Sequence, residues 1–197
     1  MASDPDSNFA FKRTSVLHCA PGHFFLIPMP VYIALLRAVN VGGTGKLPMA
    51  ELRDMCEALG FARVRTYIAS GNVMFESRLA EAAVKKKLEE SLEAYAGKPV
   101  GAVVRSASEL VAVLRANPFP DAAPDRTVAI FLDAPPRGDA LEQVSGQNAE
   151  EICLGVREIY VHYKNGIGQS KLRIAAAKAG TARNMNTVAK LVEMAQA

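Results

Sequence analysis

Tryptophan is absent from the 197 residues, and histidine and cysteine occur three times each. Without tryptophan, a base-stacking face must rest on tyrosine and phenylalanine. Tyr32, Tyr67, Phe75, Tyr160 and Tyr163 all fall in strand-like runs, where aromatic rings serve a core more often than a ligand, and no RNA-binding signature is readable. His18, Cys19 and His23 lie close together, but no further ligand stands at a metal-binding spacing, so no metal is expected. The cysteines, Cys19, Cys56 and Cys153, are far apart, with no C-x-x-C. Their odd number argues against a disulfide framework. Cys56 and Cys153 sit in apolar patterns and are read as buried thiols.

The longest apolar run is "FFLIPMPVYIALL". It is shorter than the roughly 20 residues a membrane-spanning helix needs, prolines 28 and 30 interrupt it, and no small-residue cleavage site accompanies it. These absences predict a cytoplasmic protein with no membrane partner. Catalytic constellations are missing too. No serine sits in G-x-S-x-G, no paired carboxylates stand at interpretable spacing, and His162 falls in a strand pattern as a pleat residue. G-x-G-x-x-G does not occur, and no cofactor is expected.

What is present is an ordinary globular composition, 50% hydrophobic and 22% charged, with a net charge of +3. The charge is uneven. Residues 119–159 hold three basic side chains (Arg126, Arg137, Arg157) against eight acidic ones. Residues 160–197 hold six (Lys164, Lys171, Arg173, Lys178, Arg183, Lys190) against the single acid Glu193. Such a block either attracts an anionic partner or is a chance excess on a solvated face.

Residues 1–30 show no sustained period and read as an irregular extension. From Val31 the pattern is strong. "VYIALLRA" reads as a buried strand. Pro48 fits a helix start, and Leu52, Met55, Cys56 and Leu59 follow at helical spacing up to Gly60. "ARVRTYIA" and "NVMFES" form a hairpin around Ser70-Gly71-Asn72. Val84, Leu88, Leu92 and Tyr95 make the stripe of a second helix closed by Gly97, and Lys85-Lys86-Lys87 faces Glu81, Glu89 and Glu90 as an exposed salt-laced face. "VGAVVRS" is a fourth strand. Strand–helix–strand–strand–helix–strand is the ferredoxin-like, split βαβ order. The second half predicts a helix over 108–116, a strand over 127–134, a short helix over 140–144, and a hairpin from "EICLGV" and "EIYVHYK". A helix over 171–179, with Ser170 as N-cap and Gly180 as stop, and a last helix from about Asn186 complete it. The fold class is α+β, with two similar ferredoxin-like subdomains, residues 31–105 and 106–197, built from antiparallel sheets and packed helices.

Three loops invite an anion. The first, "NVGGTGK", falls short of the phosphate-loop pattern: Asn40 stands where a glycine belongs, and Leu47 replaces the hydroxyl residue that would hold magnesium. Two readings remain: a generic anion site at a helix start, with Gly42, Gly43 and Lys46, or glycines that only supply positive φ in a turn. The second, "YKNGIGQSKLR", repeats the layout with Ser170 and Lys171. In the third, "TARNMNTV", Arg183 and Asn184 precede the final helix. Helix capping accounts for one of Asn184, Asn186 and Thr187, and leaves Arg183 free to meet phosphate or carboxylate.

"YIALLRAVNVGGTGKLPMAELRDMCEALGFARVRTYIASGNVMFES", "NGIGQSKL" and "TARNMNTVAKL" together closely resemble the domain of unknown function 1697 family, over residues 31–195. The resemblance implies a bacterial-type cytoplasmic protein of two similar ferredoxin-like α+β subdomains. It implies no reaction. The residues matching the family's motifs are Arg37, Asn40, Gly42, Gly43, Ser70, Gly71, Asn72, Ser170, Lys171, Arg183, Asn184 and Thr187. Met185 departs from the pattern, which often carries tryptophan there. The anion-binding candidates are therefore Arg37, Asn40, Gly42, Gly43, Lys46, Ser70, Asn72, Ser170, Lys171, Arg183 and Asn184, with Lys171 and Arg183 expected to meet one anion. The favoured function is a non-catalytic module binding phosphate, a nucleotide or nucleic acid. The alternatives are an enzyme on a small anionic metabolite, oriented by Lys171 or Arg183, and a structural or regulatory dimer.

Overall fold

The structure, a computed structural model, describes residues 29–37 and 46–197. Residues 1–28, with His18, Cys19 and His23, and the glycine loop with Asn40, Gly42 and Gly43 lie outside the described residues.

The first half follows the predicted order. β1 (Val31–Leu36) leads through the loop to α1 (Met49–Ala58), then β2 (Ala62–Tyr67), β3 (Asn72–Glu76), α2 (Glu81–Ala96) and β4 (Ala102–Ser106). Gly71, at φ +78°, makes the tight turn between β2 and β3. The strands form one sheet in the order β2-β3-β1-β4, and every neighbouring pair is antiparallel. Leu52 and Cys56 of α1, with Val84, Leu88 and Leu92 of α2, pack onto Tyr32, Ala34, Leu36, Val73, Phe75 and Val104 of the sheet. The i, i+4 spacing puts those helical side chains on one face, as the sequence predicts. The stripe of α2 stops one turn early, because Tyr95 is exposed. Lys85 is also more than a surface charge: it reaches Glu89 at 2.7 Å, the carbonyl of Ala102 at 2.6 Å and Asp133 at 3.1 Å.

α3 (Ala107–Arg115) starts on Ser106, whose hydroxyl accepts the Glu109 N–H in a capping box. Then come β5 (Thr127–Phe131), β6 (Val144–Ser145), β7 (Glu151–Leu154), β8 (Glu158–His162), β9 (Arg173–Ile174), β10 (Thr181–Asn184) and α4 (Met185–Gln196). The second sheet runs β7-β8-β5-β10. With β5, β7, β8 and β10 matched to β1 through β4, this is the strand order of the first sheet. The crossovers differ. Residues 140–143 form turns and Val144 opens β6, and 171–179 hold β9 followed by a 3-10 turn, Ala175–Ala179, rather than an α-helix. Over 171–174 exposure runs exposed, half-buried, exposed, buried. That is the period of a strand, and pairing of Ile174 with Val144 fixes it.

Strand alternation also explains the core. Ile33, Leu35, Met74 and Val103 face away from α1 and α2. They meet Ala129, Phe131 and Tyr160 of the second sheet, with α3 and α4 completing one shared core. The opposite face of the second sheet, Val128, Ile130, Ile159 and Val161, lies under Val144, Leu172, Ile174 and the 3-10 turn. Both faces of β1, β3, β4, β5 and β8 are covered, which is why these strands carry nearly continuous apolar runs.

The cysteines divide. Cys153 is exposed, because the edge strand β7 turns Ile152 and Leu154 inward and Cys153 outward. Cys56 is buried, and burial pushes its thiol up to about 12. A maleimide should therefore label Cys153 in the native protein and spare Cys56 until denaturant is added, as read by peptide mass spectrometry. Equal labelling rates at the two positions would contradict the packing of α1.

Candidate binding site

The candidates separate into two places. The first is a knot around Arg183 on β10. Its side chain is 7% exposed. Nε donates to Asn72 Oδ1 at 2.5 Å, and Nη1 donates to Thr181 Oγ1 at 2.9 Å and the Ala182 carbonyl at 2.7 Å. Nη2 donates to the carbonyls of Leu36 and Ser70 at 3.0 Å and Gly71 at 3.2 Å. Asn72 in turn donates to the Tyr67 carbonyl at 2.9 Å and Ser70 Oγ at 3.1 Å. Burial lowers the guanidinium to about 10, so it stays charged at neutral pH.

Ser70, Asn72 and Arg183 thus converge, but as a saturated joint between the two sheets. A guanidinium has five N–H donors, and these are turned to protein oxygens. The expectation that Arg183 stands free at a helix start is corrected: "TARN" is a strand whose alternation turns Arg183 inward. Asn184 does cap α4, accepting the Thr187 N–H at 3.0 Å. Arg37 is half-buried at the end of β1, with Nη2 3.3 Å from the Lys178 carbonyl. Lys46 is exposed ahead of α1.

The second place is an open pocket of about 270 Å³ beside the second sheet, where Ser170 and Lys171 meet residues 146–150 and 163–169. Non-helical crossovers make it possible, since their loops fold over the sheet instead of packing as helices. Ser170 is not the N-cap of a helix; it closes a 3-10 turn over Ile167–Gln169. Its hydroxyl donates to Glu150 Oε1 and accepts the Leu172 N–H at 3.1 Å. Glu150 Oε2 accepts the Asn148 N–H at 2.7 Å. These bonds, that from Ser170 foremost, hold the Glu150 carboxyl below the usual carboxylate range. Tyr163 lines the same pocket, and burial raises its phenol.

Gly146 fixes how closely the loops approach. It sits at φ +67°, and a Cβ there would lie 2.2 Å from the Lys171 carbonyl oxygen. Lys171 is exposed and has no ion-pair partner among the described residues. None of the pocket residues is a partner of Arg183, and Arg183 has no free donor, so the two cations do not share an anion. Asn148, Glu150, Asn165 and Gln169 escaped the sequence reading. Asn165 and Gln169 lie inside "NGIGQSKL", a signal that could have marked them, whereas nothing local marks Asn148 or Glu150.

A further charged cluster lies where α2, β4, α3 and the turn between β7 and β8 meet. Arg105, 1% exposed, donates to the carbonyls of Val104 at 2.8 Å, Leu132 at 2.5 Å and Arg157 at 3.0 Å. Arg157 holds Glu81 and Glu109, each at 3.0 Å. Buried Glu158 accepts the N–H groups of Val156 and Arg157 and the Tyr160 hydroxyl. No buried side-chain polar atom among the described residues lacks a partner, so this cluster is a second joint. His162 lies on β8, with Nδ1 3.4 Å from Glu151. No group of three or more His, Cys, Asp or Glu suited to a metal occurs among the described residues. Nor is any helix among them long and apolar enough to cross a membrane.

No curated protein matches the sequence. Among solved structures, the fold is similar to "conserved bacterial protein SP0830 from Streptococcus pneumoniae". The TM-score is 0.70 at 25% identity, over 85% of this chain and 99% of that one. Residues 29–160 match the family described as a protein of unknown function, DUF1697. With its ferredoxin-like strand order and that match over most of its length, the chain belongs to the DUF1697 family.

Proposed function

We propose that the protein is a non-catalytic binding module for a small phosphorylated ligand, held in the pocket at Lys171. The observation that carries this reading is the placement of Lys171: an exposed cation without an ion-pair partner among the described residues, lining a concave site of amide and hydroxyl side chains beside Glu150. Asn148, Asn165, Gln169 and Ser170 supply neutral polar groups that can orient a ligand. The reading favours binding over catalysis because of Glu150. Ser170 beside a carboxylate has the outline of a nucleophile and its base, but the hydrogen bonds that hold Glu150 lower its affinity for a proton. A weakened base activates a hydroxyl poorly.

Titration calorimetry with inorganic phosphate and with AMP tests it. A charge-assisted hydrogen bond contributes roughly 1.5–3 kcal/mol, so Lys171→Ala should weaken AMP binding about tenfold or more while the melting curve stays in place. No binding of either probe at millimolar concentration, or equal affinity in the variant, would sink the reading.

A further inference from the structure

We infer that the ligand of this pocket is one nucleotide of a single-stranded nucleic acid, whose backbone continues along Lys171 and Arg173. This rests on the proposed reading of the Lys171 pocket and names its partner. Of the six cations after residue 160, Arg183 is buried, Lys164 pairs with Glu151 at 2.6 Å and Lys190 with Glu193 at 2.6 Å. Lys171, Arg173 and Lys178 remain, exposed and without an ion-pair partner among the described residues. Lys171 and Arg173 share the outward face of an extended segment, two residues apart. A strand rises about 3.3 Å per residue, so the two positions are roughly 7 Å apart. That step allows one extended chain of phosphodiesters to meet both side chains in turn.

The pocket at the Lys171 end suits a base. Its volume of about 270 Å³ leaves room for a nucleoside. Asn148, Asn165 and Gln169 carry planar amides, each with donors and an acceptor, the groups that pair with base edges. Tyr163 adds an aromatic ring to the lining. The carboxylate in the pocket, Glu150, is turned to Ser170 and the Asn148 N–H, which answers part of its charge. Entry of a base into such a pocket requires it to be unstacked. That selects single strands over duplexes, and a single row of cations fits one backbone rather than two.

Fluorescence anisotropy with a labelled six-nucleotide single strand, the same sequence as a duplex, and AMP as competitor tests the inference. The single strand should bind at least tenfold more tightly than AMP and more tightly than the duplex. Two phosphate contacts predict a slope of log K against log salt near −1.4, from about −0.7 per contact on single strands. Arg173→Ala should flatten that slope by about half and leave AMP affinity unchanged, because Arg173 lies outside the pocket lining. If AMP binds with dependence on Lys171 but the oligonucleotide gains nothing, or the slope ignores Arg173→Ala, the strand is excluded and the small-ligand reading stands. If AMP and the oligonucleotide both fail to bind, the reading of the pocket itself has failed.

Discussion

Replacing Arg183 by alanine is expected to cost about 3–5 kcal/mol of stability, although the residue has the look of a surface anion ligand in the sequence. The side chain is 7% exposed. Its removal strips donors from the Ser70 carbonyl and Asn72 Oδ1, while the Leu36 and Gly71 carbonyls keep the Thr181 hydroxyl and the Leu36 N–H. A buried acceptor left unsatisfied costs about 1–3 kcal/mol. Water entering the space vacated by the guanidinium recovers part of this, so the total falls below the plain sum. For a protein of this size, each kcal/mol moves the melting midpoint by about 2–4 °C, which predicts a fall of roughly 6–20 °C. Arg183→Met separates the causes. It restores much of the volume but no donor, so it should remain several degrees below the wild type. Asn72→Ala should cost less, and the double variant less than the sum, because the two side chains share a hydrogen bond. An Arg183→Met protein melting with the wild type would show that packing alone, not the donated bonds, holds the sheets together.

That knot shows where sequence reading stops. Its partners at Leu36 and Ser70 lie 147 and 113 residues away along the chain. Nothing in "TARN" announces carbonyls arriving from that distance, and an arginine ahead of a helix reads naturally as a free cation. The first half was legible because its signals are local: stripes at i, i+4 on α1 and α2, an apolar run on β1, and a glycine at the β2–β3 turn. The segment 171–179 misled for the opposite reason. Four alanines, a serine before them and Gly180 after them mimic a capped helix. The pairing that makes residues 173–174 a strand comes from β6, in a separate part of the sequence. Local propensity is overridden wherever a distant strand supplies the hydrogen bonds.

The candidate pocket was half legible for the same reason. Ser170 and Lys171 belong to a glycine-rich stretch that stands out in one dimension. Asn148 and Glu150 become pocket residues only because β6 and β9 pair and bring Gly146 onto Lys171. Of the six cations in the basic C-terminal block, three are already engaged or buried.

Arg105→Met is expected to produce the second large loss, about 2–4 kcal/mol, because the Leu132 carbonyl loses its buried donor and the Arg157 carbonyl is left with the Leu132 N–H alone. The guanidinium also lies 5.9 Å from the Phe131 ring centroid, a cation–π contact that methionine does not reproduce. The same cluster sets a pH dependence. Burial raises the Glu109 carboxyl, but the hydrogen bonds from Ser106 and the charges of Arg157 and Arg105 outweigh it, and the net shift is downward from 4.5. A carboxyl depressed in the folded state adds stability that is fully present above its unfolded value and is lost as pH falls through the folded one. Glu109→Gln keeps a side chain able to close the capping box with Ser106 but removes the titration. Denaturant midpoints measured from pH 6 down to pH 3 should therefore fall more steeply for the wild type than for Glu109→Gln, with the difference opening below about pH 4.5. Arg157→Ala should flatten the wild-type limb in the same direction, since it removes the cation 3.0 Å from Glu109. Parallel acid limbs in all three proteins would mean that the cluster holds its geometry without holding its charges apart.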